Sequence, residues 1–142
     1  MKVKECMCSN VEFLNSNSTI KECAKLMSEK HIGCVPVCDK ENKIVGLVTD
    51  RDLILRSIAC DKDVNNTSLN EIMTTNICSC KENDELKTAE DMMSKNQIRR
   101  LPVVDEYGKI VGIISLANLC TNTNNVGKTL ENICSCNDKN AE

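Results

Sequence analysis

The chain has 142 residues, 41% hydrophobic and 27% charged, with a formal net charge of −3. That acidic balance argues against nucleic acid as an obligate partner, because gripping a phosphate backbone usually needs a basic face. No stretch approaches the ~18–20 apolar residues of a membrane-spanning helix, and residues 1–20 lack the apolar run of a secretory leader, so the expected location is the cytoplasm.

With one Phe, one Tyr and no Trp, the core must be built from Ile, Val, Leu, Met, Ala and Cys. A half-length piece of about 60 residues is marginal alone, so two halves burying a common face are the more stable reading. The 11 cysteines are an odd number, which excludes a complete set of internal disulfides. Cys used as a small apolar residue in a reducing compartment is the plain explanation.

In chain order, residues 1–10 form a lead-in ending in Glu5-Cys6-Met7-Cys8-Ser9-Asn10, followed by a short expected strand at Val11-Glu12-Phe13. Thr19-x-x-Glu22 is a capping-box pattern that opens a helix. Ile20, Cys23, Ala24 and Met27 then follow at helical spacing as one buried stripe. Val35-Pro36-Val37-Cys38 and Ile44 to Val48 form a hairpin across Lys40-Glu41-Asn42-Lys43. Proline there suits an edge or a strand start, since it has no N–H for the ladder. The second strand is nearly continuously apolar, as for a strand covered on both faces. A second helix is expected from Asp50 to about Ala59.

The pattern then returns. Gly46 and Gly112 are 112 − 46 = 66 positions apart, and the same 66 separates Met7 from Met73, Pro36 from Pro102, Asp39 from Asp105 and Val45 from Val111. A constant period over so many positions marks a duplicated structural unit. The second copy has its lead-in at Glu71 to Asn76, a strand at Ile77-Cys78-Ser79 and a helical stripe at Leu86, Ala89 and Met93. Glu90 replaces Ala24, which makes that helix face less apolar. A hairpin from Leu101 to Ile114 and a helix from Leu116 to near Thr121 complete it. The expected boundaries are 1–62 for the first repeat with its lead-in, 63–70 for a linker, 71–122 for the second repeat and 123–142 for a tail. Within that tail, Gly127 to Ile133 is expected to add a helical turn.

Thr49-x-x-Asp52 sits where the first hairpin runs into a helix. Thr49 can cap that helix, and Asp52 falls in its first turn, where the dipole favours a carboxylate. A capping pair that binds nothing is the bland alternative. Ser115-x-x-Asn118 is the second copy, without the charge. Arg99-Arg100 precede Leu101-Pro102, whereas Gly33 and Cys34 stand at the matching positions. Paired guanidiniums can grip phosphate bidentately, or can simply lie on the surface. His31, the only histidine, suits a helix end as well as a titrating role.

The twice-repeated unit, with Ile44-Val45-Gly46-Leu47-Val48-Thr49-x-x-Asp52 as its fullest copy, resembles a tandem pair of CBS (cystathionine-β-synthase) domains, the Bateman module. The resemblance covers residues 1–121. It implies an α+β fold of two β-α-β-β-α repeats related by a pseudo-twofold, with their sheets packed together and leaving two clefts. It implies a cleft holding an adenosine ligand (AMP, ADP, ATP or S-adenosylmethionine) and a pair that forms a homodimer. On that template Thr49 and Asp52 would take the ribose, since a carboxylate with free oxygens can accept two hydroxyls. Ser115 and Asn118 would form a weaker second site. Arg99 and Arg100 would contact phosphates. The adenine slots would be Val11 and Ile32, and Ile77 and Ile98, with Asp52 facing Ile77 and Ile98, and Asn118 facing Val11 and Ile32. Taken singly, each of these aliphatic residues reads more readily as plain core than as a ligand wall.

Three Cys-x-Cys pairs, Cys6/Cys8, Cys78/Cys80 and Cys134/Cys136, are a weak metal signal, because structural zinc usually uses a wider spacing. No Ser/His/Asp set and no glycine-rich phosphate loop is present. The expectation is a non-enzymatic regulatory module that senses an adenosine nucleotide, requires no cofactor and signals to an unknown protein effector. A thiol-based metal or redox sensor on the same scaffold, or an interaction module with empty clefts, is the alternative.

Overall fold

The protein is described over residues 1–121 by a computed structural model. β1 (Leu14–Asn15) runs parallel to β2 (Cys34–Cys38), which pairs antiparallel with β3 (Ile44–Thr49); α1 (Ile20–Lys30) links β1 to β2, and α2 (Asp50–Asp52) follows β3. The second half repeats this as β4 (Cys80–Lys81), α3 (Leu86–Asn96), β5 (Arg100–Val104), β6 (Ile110–Ser115) and α4 (Leu116–Cys120). The result is an α+β fold with two three-stranded sheets, ordered β1-β2-β3 and β4-β5-β6.

Local chemistry accounts for most of these elements. Thr49, Thr19 and Ser115 each cap the helix that follows, with reciprocal side-chain bonds to the third residue of that helix. His31 and Gln97, 66 positions apart, end α1 and α3 in the left-handed region with φ of 55° and 56°. Ile20, Cys23 and Met27 are buried as the stripe requires, and so are Leu86, Ala89 and Met93, whereas Ala24, expected in the same stripe, is only half-buried. Glu90 is buried too, with Lys87 Nζ 3.9 Å from its carboxylate.

Three details depart from the sequence reading. The first strands begin three residues later than expected, at Leu14 and Cys80, because only there does the chain run alongside Val37–Cys38 and Val103–Val104. The helix after β3 is α-helical only over Asp50–Asp52; it widens to a π-helix at Leu53–Ser57 and tightens to a 3-10 turn at Ile58–Cys60. Pro36 and Pro102 lie mid-strand in the central strand of each sheet rather than at an edge. They are tolerated because their cross-strand partners, Leu47 and Ile113, turn both backbone groups the other way, onto Thr74 and Cys8. The imide nitrogen therefore faces the side on which β1 or β4 has not yet paired.

The contacts group the chain into two compact units. One compact unit is Glu12–Ile77; the other joins Met1–Val11 to the described residues from Cys78 on. Within the second, Val3 is wholly buried with Leu86, Ala89, Met93 and Leu101, and Cys8 exchanges two backbone hydrogen bonds with Ile113, at 2.8 and 3.0 Å. Within the first, Leu69 and Ile72 fill the core around Ile20, Val35 and Val48, and Thr74 exchanges bonds of 2.9 and 3.0 Å with Leu47. Each hairpin is thus closed by the lead-in that precedes the other repeat in sequence. The helical turn expected at Gly127 to Ile133 lies outside the described residues.

Candidate functional site

The strand-to-helix corner of each unit is built by its own hairpin. In the Glu12–Ile77 unit, Cys34 pairs with Thr49, and the Asp50 N–H donates to the Gly33 carbonyl at 2.9 Å. The Thr49 N–H donates to Asp52 Oδ2 at 2.9 Å, and the Asp52 N–H donates to Thr49 Oγ1 at 3.2 Å. The capping pair is therefore formed. One carboxylate oxygen is fixed by the backbone, and the other, Oδ1, lies 3.7 Å from Arg56 Nε. The Asp52 side chain keeps 15% of its surface accessible.

The second corner has the same plan and different chemistry. Arg100 pairs with Ser115, and the Leu116 N–H donates to the Arg99 carbonyl at 2.7 Å. Asn118 Oδ1 accepts from both the Ser115 N–H at 2.8 Å and the Ser115 hydroxyl at 2.9 Å. An amide oxygen has two lone pairs, so these bonds use its acceptor capacity. Asp52, with two oxygens, retains more. Arg99 and Arg100 are both exposed, and among the described residues neither guanidinium lies within ion-pair distance of a carboxylate.

The fold thus brings Arg100 beside Ser115 and Asn118 within one unit, and Thr49 beside Asp52, Gly33 and Cys34 in the other. Ile77 falls in the unit of Asp52, and Val11 in the unit of Asn118. Val11 and Ile77 are half-buried and precede β1 and β4. Ile32 and Ile98, also half-buried, follow the left-handed helix caps and pack on the core of their own unit. An apolar cavity of about 400 Å³ opens between α1 and Leu53 to Ile58, lined by Ile20, Ala24, Met27 and Ile54 among others; none of the predicted site residues lines it.

Two contacts that matter to this unit were missed in the sequence. Arg56 stands four residues after Asp52, an opposite-charge spacing that marks a helical neighbour. Met73 lies on the glycine of β3, a contact with no local signal.

Burial governs the thiols. Desolvation pushes Cys23, Cys38 and Cys80 from the ordinary 9.0 up to about 11, helped by the nearby Cys34, Asp39 and Asp84 respectively. Such thiols stay protonated and are poor ligands or nucleophiles near neutrality. Among the described residues no group of three or more His, Cys, Asp or Glu side chains is placed to hold a metal. Cys134 and Cys136 lie outside the described residues. Among the described residues, no helix is long and apolar enough to cross a membrane.

Comparison with known proteins bears on the family of the whole chain. The CBS domain family model matches twice, over residues 3–58 and 69–122. A CBS domain-containing protein, YhcV of Bacillus subtilis (strain 168), is 37% identical over 134 residues, spanning 92% of this chain and 94% of its own. The crystal structure of Hypoxic Response Protein I with two coordinated zinc ions superposes with a TM-score of 0.79 at 26% identity, covering 87% of this chain and 99% of that one. The CBS domain pair of protein MJ0100, in complex with 5′-methylthioadenosine and S-adenosyl-L-methionine, gives a TM-score of 0.72 at 30% identity, over 85% and 94% of the two chains. Matched in both of its repeats and over most of its length, the chain belongs to the CBS domain family.

Proposed function

We propose that this chain is a regulatory binding module for an adenosine nucleotide of the AMP, ADP or ATP class, and not an enzyme. The observation that carries the reading is the Asp52 carboxylate, held by the Thr49 N–H at 2.9 Å, with its side chain still partly accessible. A carboxylate so held can accept ribose hydroxyls without first losing side-chain freedom. The adenosine compounds bound by the MJ0100 domain pair support that choice. The exposed Arg99 and Arg100 favour phosphorylated members of the class. Ile77 serves as an apolar wall for adenine, and Ile32, Ile98 and Val11 are the further wall candidates. Ser115 with Asn118 supplies a weaker second ribose position. The protein works as a cytoplasmic homodimer that passes its state to a separate protein effector. A ligand drives that output only through unequal affinity for two arrangements of the protein.

Calorimetry against AMP, ADP, ATP and S-adenosylmethionine tests the reading. Binding tighter than about millimolar, roughly −4 kcal/mol, and weakened separately by Asp52→Ala and Arg100→Ala, is the expected result. Unchanged affinity in both variants overturns the site, and no binding of any of the four favours a pure interaction module.

A second reading, a thiol-based metal sensor, is favoured by the zinc ions of the Hypoxic Response Protein I structure together with the Cys-x-Cys pairs. Stoichiometric zinc in protein purified without oxygen, lost in Cys134→Ser/Cys136→Ser, would support it.

A further inference from the structure

The Arg56 guanidinium addresses two places at once within the Glu12–Ile77 unit. Its Nε lies 3.7 Å from Asp52 Oδ1, while its Nη1 donates to the Ile72 carbonyl at 3.2 Å and to Thr74 Oγ1 at 3.4 Å. A planar, permanently charged fork can hold an anion on one edge and neutral acceptors on another; a lysine ammonium cannot span both. The receiving segment is itself constrained. Ile72 is wholly buried in the core, the Met73 N–H donates to the Leu69 carbonyl, and Thr74 is bonded on both sides to Leu47 in β3. The bridge is particular to one copy: 66 positions after Arg56 stands Asn122, and the residues matching Ile72 and Thr74 are Cys6 and Cys8.

We infer that Arg56 is a positioning residue that couples the Asp52 carboxylate to the Ile72–Thr74 segment, so that the occupancy of Asp52 is felt at the edge of β3. The ligand part of this inference rests on the reading of Asp52 as a ribose acceptor. A hydroxyl bound to Oδ1 shares that oxygen with Arg56, and the guanidinium then redistributes its attraction between Asp52 and the carbonyl of Ile72. Three residues beyond Thr74 lies Ile77, so the same segment carries the proposed adenine wall.

The test is residue-resolved hydrogen exchange by NMR on the full chain, with and without AMP. Without ligand, Asp52→Asn and Arg56→Ala should each speed exchange of the Met73 and Thr74 amides several-fold, and the double variant no more than Arg56→Ala alone, since the two act in series. Arg56→Lys, which keeps the charge and guards against a folding defect, should show the same acceleration. AMP should shift exchange at Met73 and Thr74 in the wild type and not in Arg56→Ala or Arg56→Lys, with AMP affinity lowered roughly 3- to 10-fold in both. Wild-type exchange at Met73 and Thr74 in Asp52→Asn would overturn the coupling and leave Arg56 a structural residue. An AMP affinity unchanged in Asp52→Ala would instead sink the ribose reading, while the ligand-free rates still decide the coupling.

Discussion

Gly46 and Met73 touch so closely that a Cβ at position 46 would stand 2.6 Å from the Met73 Sδ; Gly112 repeats the relationship with Met7 at 2.7 Å. The glycines shared by the two hairpins are therefore seats for the lead-ins, not turn residues. The first prediction concerns these seats. Gly46→Ala should cost roughly 1–3 kcal/mol through overpacking, because the side chain it meets first can swing away. Gly112→Ala should cost more, since its Cβ would meet the Cys8 carbonyl oxygen at 2.8 Å, against 3.1 Å from the Thr74 carbonyl for Gly46→Ala, and backbone cannot yield so cheaply. Urea denaturation ranks the two. Adding Met73→Ala should recover part of the Gly46→Ala loss, and no recovery would show that the clash lies elsewhere.

The exchanged lead-ins make a second prediction. Deleting residues 1–9 removes the wholly buried Val3, the bond pair between Cys8 and Ile113, and the ion pair of Lys2 with Glu85 at 2.7 Å. The loss should appear as faster hydrogen exchange in β5 and β6, with β2 and β3 affected less. The milder Val3→Ala should cost about 1–2 kcal/mol, of which the exposed Lys2–Glu85 pair is no part. Equal acceleration in β2 and β3 would contradict the grouping of Met1–Val11 with the later half.

A third prediction separates the cap from the ligand. Thr49→Ala removes the acceptor for the Asp52 N–H and should lower stability by about 1 kcal/mol. Asp52→Asn keeps an acceptor for the Thr49 N–H and should cost less stability than Thr49→Ala. For AMP the order should reverse, with Asp52→Asn the more damaging, because the charge-assisted bond to a hydroxyl is the stronger one. Calorimetry paired with thermal unfolding reads both orders from the same samples.

The buried thiols set a pH dependence. Cys23, Cys38 and Cys80 sit at about 11 in the fold against an ordinary 9.0 when unfolded. A raised thiol value means that the unfolded chain loses its protons first as pH rises. Their contribution to stability is therefore complete below pH 9 and is lost progressively between pH 9 and 11. The denaturation midpoint should fall over that window, and Cys38→Ala should flatten the fall. A thiol reagent at pH 7.5 should label the exposed Cys8, Cys60 and Cys120 quickly and these three only on unfolding. Rapid labelling of Cys23 in the native protein would count against its burial.

Much of this architecture was legible before any coordinates. The period of 66 comes from comparing the chain with itself; the capping boxes at Thr19 and Thr49, the hairpins and the helical stripes, the half-buried Ala24 aside, are local patterns found where the pattern put them. Thr49 with Asp52, and Ser115 with Asn118, were legible for the same reason, as partners three residues apart. The start of the first strands was less so: Val11 and Ile77 read as strand, but the ladder begins at Leu14 and Cys80, where a distant strand offers its edge.

Sequence alone determined that this protein is a duplicated unit with two capped strand-to-helix corners, one carboxylate and one amide, because periodicity and caps depend on neighbours along the chain. Tertiary structure alone decided which lead-in closes which hairpin. Glu5 to Asn10 and Glu71 to Asn76 present nearly the same local signal to either one, and what distinguishes them is tertiary: Cys8 bonds to Ile113 and Met7 lies on Gly112, whereas Thr74 bonds to Leu47 and Met73 lies on Gly46. The bridge from Asp52 through Arg56 to Ile72 was likewise a tertiary outcome, since its last link joins groups 16 residues apart that no helical or strand period relates.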